Sequence, residues 1–358
     1  MLTVSARGYT PLCARCASPP PTHPQAFVAH YETRGVECKV EAGGFIVKRN
    51  RSNMGWSCVH GGSTASVAII LDGELLISAN VGDSTALMCG LGNSIKPFSL
   101  YSSFEPESCE ADPGNTGGAS YSVLSAEHSP ETPSEYVRMR EFRPCPQRGK
   151  HHSEMLFVYD APSYSKYDCP HVFKVDTQTA TPVVTNNGRY YKSVRSEWAT
   201  LVTTPPHSRF QDALAFTRSV GDLHLQTYGV TCKPDVCVLD LKQMFVARAA
   251  EPGWVPGTPA LLMVCSDGIW DNWKFPDIVS HFARTEQAYL APRTEVSGVS
   301  GAGADGAVDL DGIVQGADAA TVDLITRFMT VNKAEAHKNF GSSADNMSAV
   351  ACAIFPSI

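Results

Sequence analysis

The stretch Leu261-Leu262-Met263-Val264-Cys265-Ser266-Asp267-Gly268-Ile269-Trp270-Asp271 decides the reading of this chain. Five apolar residues end abruptly in Ser266-Asp267-Gly268, the pattern of a core strand that delivers a carboxylate to a sheet edge. Two other stretches repeat the arrangement. Ala344-Asp345-Asn346 immediately precedes the strand-like run Met347 to Phe355, and Gly82-Asp83-Ser84 follows the run Leu75 to Val81. Any one of these acids alone reads as an ordinary turn or helix cap. Three together, each flanked by glycine, serine or asparagine, suit hard oxygen ligation of Mg²⁺ or Mn²⁺.

Composition narrows the class. The 358 residues are 43% hydrophobic and 18% charged, enough for a large core, and no apolar run approaches the roughly 18 residues of a membrane span. A formal charge of -7 argues against nucleic acid as a partner. Twelve cysteines are scattered without a repeated short pairing, and several lie in apolar runs. They read as reduced thiols of an intracellular protein, cytoplasmic or nuclear. Cys13 and Cys16 form a lone CxxC with no second pair or histidine cluster to complete a zinc site. No acid precedes Glu32, and the early stretch is rich in proline. Residues 1–30 are therefore expected to be a disordered or leader segment, with an organelle transit peptide as the competing reading.

The remainder, 31–358, is expected to be one domain. Ser63 to Leu71 and Glu74 to Val81 flank the hairpin dipeptide Asp72-Gly73, and Thr85 to Cys89 reads as a third strand. Insertions are expected at about 91–120, 144–206 and 295–317, the second containing the strand-like pieces Met155 to Tyr159 and His171 to Val175. Apolar spacing predicts helices over Asp212 to Leu225, Phe275 to Leu290 and Asp318 to Ala336, a charged helix over Glu131 to Phe142, and a mobile loop over Gly298 to Gly316. Val230 to Leu239 predicts a further strand. Hairpin-delivered strands with helices to cover them make an α+β layered sandwich.

Seven motifs in order carry a family resemblance: Gly62-Ser63-Thr64-Ala65, Ala79 to Ser84, Leu124 to Pro130 (LSAEHSP), Ala213 to Leu225 (ALAFTRSVGDLHL), Lys233 to Val236, Ser266 to Asp271 and Ser343 to Ser348 (SADNMS). Together they resemble the type 2C, PPM-type metal-dependent protein serine/threonine phosphatases. The resemblance implies an αββα sandwich of two mostly antiparallel sheets flanked by helices. It implies a monomer that uses a metal-activated water to hydrolyse phosphoserine and phosphothreonine in phosphoprotein substrates. By position, Asp267 and Asp345 match metal-holding carboxylates, and Asp267 with Asp83 matches the set on a further, weaker metal. Asp222, Arg218 and Arg209 match supporting residues, and Asn346 and Gly268 stand beside the ligands.

One motif of the family is missing. Its first metal segment, Asp-Gly-His-Gly-Gly, is represented only by Cys58-Val59-His60-Gly61-Gly62, which puts Cys58 where the bridging aspartate should be. His60 is thus left as a candidate for an acid-base or metal role, and Asp160, at the end of an apolar run, as a candidate replacement ligand. Two functions follow from the resemblance: an active phosphatase, or a weak or inactive pseudophosphatase that binds a signalling partner.

Overall fold

A computed structural model describes residues 2–5, 23–41, 45–50, 52, 54–90, 99–105, 108–109, 120–142, 154–162, 165–250, 260–279 and 326–355. Two five-stranded antiparallel sheets form its centre. The first sheet contains β1 (Leu2–Ser5), β2 (Ala65–Leu71), β3 (Leu75–Val81), β5 (Ser99–Ser102) and β8 (Asp235–Asp240), in the order β1-β2-β3-β8-β5. The second contains β4 (Thr85–Gly90), β6 (Ser108–Cys109), β7 (Ser120–Val123), β9 (Ala260–Cys265) and β10 (Ala349–Ile354), in the order β6-β7-β4-β9-β10. The Asp72-Gly73 turn makes the β2–β3 hairpin as its sequence dictates, with Leu71 opposite Leu75 and Ala65 opposite Val81.

Strand β9 shows how the layers assemble. Ala260, Leu262 and Val264 join Ala86 and Met88 of β4 in one core with Leu76 of β3 and Leu239 of β8, so this core lies between the sheets. Leu261, Met263 and Cys265 point the other way, into a second core with Ile269, Trp270, Ile278 and Phe328. Every residue of β9 is therefore buried. That is why its sequence is continuously apolar instead of alternating.

Five short helices are bounded within the described residues: α1 (His23–Glu32), α2 (Pro133–Glu141), α3 (Leu223–Gln226), α4 (Leu241–Ala249) and α5 (Asp267–Trp270). Helix α4 adds Leu241, Met244 and Phe245 to the core between the sheets. Helical residues 275–279 and 326–340 cover the outer face of the second sheet through Ile278, Val279 and Phe328. They belong to the two later helices expected from spacing, of which 280–325 lies outside the described residues. Cys13, Cys16 and the loop Gly298 to Gly316 lie outside them too. Within the stretch 1–30, β1 pairs antiparallel with β2, and α1 begins at His23.

Two local expectations differ from the structure. Asp212 to Leu225 is not one helix. It forms the short strands Ala213–Leu214 and Val220–Gly221 followed by α3. Long-range pairing overrides the apolar spacing here: Val220 lies opposite Ser63 and Gly221 opposite Gly62. Gly221 has φ +114°, and a Cβ there would lie 2.7 Å from the Gly61 carbonyl oxygen, so no other residue suits the crossing. The first insertion is also more than a surface loop, because it contributes β5 to one sheet and β6 to the other. The second insertion carries the strands Leu156–Tyr159 and Phe173–Val175 close to where they were expected, and Leu156–Tyr159 joins Thr200–Thr203 and Ala213–Leu214 in a small sheet.

A buried ion network ties α2 to this part of the fold. Arg218 donates from Nη2 to Glu135 Oε1 at 2.6 Å and from Nη1 to Asp235 Oδ1 at 3.0 Å, and Arg138 Nη2 reaches Glu135 Oε2 at 2.7 Å. Burial pushes Glu135 upward, but the hydrogen bonds from Arg218 and Arg138 outweigh it and hold the carboxyl at about 2.

Two predictions test this architecture. Leu262→Ala should lower the unfolding free energy by about 2–5 kcal/mol in a urea titration, whereas Leu100→Ala, at an exposed position, should change it by less than about 0.5 kcal/mol. Glu135→Gln should cost about 3 kcal/mol at pH 7, because it removes the carboxylate that two arginines share and leaves Asp235 as the counter-ion of buried Arg218. A carboxyl held this low stabilises the fold by about 3 kcal/mol above its unfolded value near 4.5, and that contribution is lost as the pH falls through about 2. The gap between variant and wild type should accordingly narrow below about pH 3.

Candidate functional site

The end of the sandwich holds a cleft of about 1030 Å³ whose lining includes Asp83, Glu127, Lys192, Arg195, Glu197, Asp267 and Asp271. Asp83 is set by the turn after β3. Gly82 there has φ +99°, and a Cβ would lie 2.3 Å from the Thr64 methyl, so glycine is required for the turn to fold down on β2. His128, from the LSAEHSP motif, braces the same turn: its Nδ1 accepts the Gly82 N–H at 2.9 Å while Nε2 faces Asp235 Oδ2 at 3.2 Å. Asn80 donates to the Gly82 and Ala126 carbonyls, both at 3.0 Å. Asp83 thus stands on a turn held from three sides.

Asp267 begins α5 directly after β9. Its Oδ1 accepts the Gly268 N–H at 2.8 Å. Gly268 leaves room for the neighbouring loop, since a Cβ would lie 2.2 Å from the Asn346 carbonyl oxygen. Ser266 fastens that loop in place: its N–H donates to the Ser348 carbonyl at 2.9 Å, and its Oγ accepts the Ser348 N–H at 3.1 Å. Asp345 and Asn346 are exposed on this loop, with Asp345 Oδ1 accepting the Asn346 N–H at 2.7 Å. Asp345 therefore borders Asp267 through the backbone.

The carboxylates in the cleft are crowded and poorly solvated. Burial and the charge of Asp267 push Asp83 up to about 8. Burial also lifts Asp271 to about 7, with Lys192 opposing and Asp267 adding to the rise. Glu131 reaches about 7 through burial and its neighbour Glu127. Lys192 is the internal counter-ion. Burial alone would lower its ammonium, but Asp83, Asp271, Glu127 and Glu197 reverse the effect and raise it. The segment carrying Lys192 is fastened beside the acids, with the Val194 N–H on the Asp271 carbonyl at 2.9 Å and Arg195 Nη2 3.7 Å from Asp271 Oδ1.

The other residues singled out by sequence stand elsewhere. Arg218 lines the cleft, but its guanidinium is engaged by Glu135 and Asp235. Asp222 is buried at the start of α3, where its Oδ2 accepts from Ser219 at 2.6 Å. Arg209 is exposed and paired with Glu41. Asp160 is engaged by Lys166 and Tyr190. His60 lies in a separate cluster: Asp212 Oδ2 is 2.9 Å from His60 Nδ1 and 2.8 Å from His224 Nε2. Burial pushes Asp212 upward, but the two histidines outweigh it and hold the carboxyl at about 2.

Sequence reasoning missed Asp271 as a site group, although it follows Asp267 by four residues, one helical turn further on. It also missed Lys192, Asp212 and His224, which long-range folding alone brings to their partners. Asp83, Asp267 and Asp271 line one cleft and are of the hard oxygen type that suits Mg²⁺ or Mn²⁺, whereas among the described residues the group that brings three ligand atoms within 4.8 Å of one another is His60, Asp212 and His224. Cys58 does not extend that set. Burial and the charge of Asp212 push its thiol up to about 11, which keeps it protonated and unsuited to a hard ion.

Comparison with known proteins supports the family resemblance over one segment of the chain. The family model for protein phosphatase 2C matches residues 44–144, which include the Asp83 turn and the LSAEHSP motif. Among solved structures, the chain is similar to the crystal structure of serine-threonine phosphatase 2C from Toxoplasma gondii, at 14% identity and a TM-score of 0.42, over 93% of this chain and 63% of that one. The chain thus spans less than two thirds of that structure's length. A search by sequence among curated proteins finds no match. By its ordered motifs and by the matched segment 44–144, the chain resembles the type 2C, PPM-type protein phosphatases.

Proposed function

We propose that the chain is a metal-dependent protein serine/threonine phosphatase that removes phosphate from phosphoserine and phosphothreonine with Mg²⁺ or Mn²⁺. The observation that carries this reading is the convergence of Asp83, Asp267 and Asp271 at one desolvated end of the sandwich. A divalent ion bound there would supply Lewis acidity, activating a water and neutralising phosphoryl charge. The chain's own residues have three tasks. Asp83, Asp267 and Asp271 hold the cation, with Asp345 and Asn346 on the adjoining loop. Lys192 and Arg195 neutralise part of the acids' charge, Lys192 beside Asp83 and Asp271 and Arg195 through Glu197. Trp270 and Phe275 line the same cleft and exclude water from part of it. In this reading the enzyme acts as an intracellular monomer on phosphoproteins.

The test is manganese-dependent hydrolysis of an aryl phosphate and of a phosphothreonine peptide. Turnover should disappear with chelator and return with Mn²⁺, and Asp267→Ala and Asp345→Ala should each reduce it by at least about 100-fold. Equal background turnover in wild type and both variants, with phosphopeptide still bound, would establish the pseudophosphatase instead.

A second measurement reads the acids without turnover. Because Asp83 and Asp271 are raised, the ion-free protein binds extra protons when folded. It should therefore lose stability as the pH rises from about 4 through about 8. Manganese should raise Tm more at pH 8 than at pH 5, and Asp83→Asn should flatten both trends.

A further inference from the structure

The cluster around His60 shares no residue with the carboxylate cleft and has a different chemistry. His60 follows the strand Trp56–Cys58, Asp212 immediately precedes the strand Ala213–Leu214, and His224 lies in α3. Pairing of Gly62–Ser63 with Val220–Gly221 brings the first and last together, reinforced by the Asp222 N–H on the Gly61 carbonyl at 2.9 Å. The two imidazole rings meet edge to face with centroids 4.6 Å apart. One potential ligand atom from each of His60, Asp212 and His224 lies within 4.8 Å of the others.

The carboxylate is oriented in advance. Asp212 Oδ1 accepts the Ala213 N–H at 2.8 Å, and the Asp212 N–H donates to Thr204 Oγ1 at 2.9 Å, which leaves Oδ2 to face both imidazoles. Each ring turns one nitrogen to Asp212 Oδ2, His60 through Nδ1 and His224, only 1% exposed, through Nε2, so both imidazoles converge on one carboxylate oxygen. Meanwhile His60 is 49% exposed, which leaves an open side for entry and for water as a further ligand.

We propose that His60, Asp212 and His224 form a binding site for a divalent transition ion of the zinc class, separate from the Mg²⁺/Mn²⁺ cleft. Two imidazoles and one carboxylate are a borderline donor set that favours Zn²⁺ or Co²⁺ over Mg²⁺, and three protein ligands leave a position for water. Bound there, the ion joins the turn after Cys58 to the segment from Asp212 to His224, more than 150 residues later in the sequence.

The experiment uses the full chain, stripped with chelator and dialysed, then titrated with Co²⁺ or Zn²⁺ alone. Cobalt absorption in the visible range and calorimetry report affinity and stoichiometry. Because His224 is buried and its replacement risks the fold, the variants are His60→Gln and Asp212→Asn, with circular dichroism to confirm folding. Leu100→Ala, at an exposed position outside both sites, serves as the control. Wild type and the control should bind cobalt with the same visible absorption and affinity, and either site variant should weaken that binding at least tenfold. Absence of binding by folded wild type, a loss smaller than tenfold in both variants, or an equal loss in Leu100→Ala would overturn the proposal.

Discussion

Burying negative charge at the end of a sheet is the constraint on which this molecule depends. Asp83, Asp267 and Asp271 are each carried by well-packed elements, so none can swing out to solvent without disturbing the turn after β3 or the start of α5. Their crowding costs free energy that the fold must offset from elsewhere. Lys192 offsets part of it. The lysine comes from the second insertion, which makes that insertion an electrostatic component of the site and explains why its backbone is hydrogen-bonded to Asp271.

The same balance is met differently a short way off. Around Arg218 the buried charges are matched by direct hydrogen bonds, and Glu135 remains ionised to about pH 2. In the cleft, the carboxyls rise to about 7 and 8. In one network direct hydrogen bonds match the charges, while in the other the acids crowd one another and their carboxyls rise.

How far the sequence could be read follows from how local each feature is. The β2–β3 hairpin, β9 and the acids at their ends were legible, because apolar runs and Asp-Gly turns are local signals. The helix expected over Asp212 to Leu225 failed because the spacing of Leu214, Phe216, Val220 and Leu223 imitates one, while Gly221 and a strand more than 150 residues earlier decide otherwise. Lys192, Asp212 and His224 were illegible for a related reason. Lys192 meets Asp83 and Asp271, and Asp212 meets His60 more than 150 residues earlier, only in the assembled fold, while the spacing of Asp212 and His224 has no helical or strand pattern to reveal it.

Strand β9 carries one more consequence. Since both of its faces are buried, its side chains do not sort into a wet set and a dry set, and the usual hydrophobic penalty against a one-residue register slip is weak. Such a slip would move Asp267 by about 3.3 Å along the sheet and turn it to the opposite face. The depth of the carboxylate is therefore fixed by polar fastening at the strand's end, where Ser266 grips Ser348 with both its backbone and its hydroxyl. In this molecule a serine hydroxyl acts as the detent that sets where the charge comes to rest.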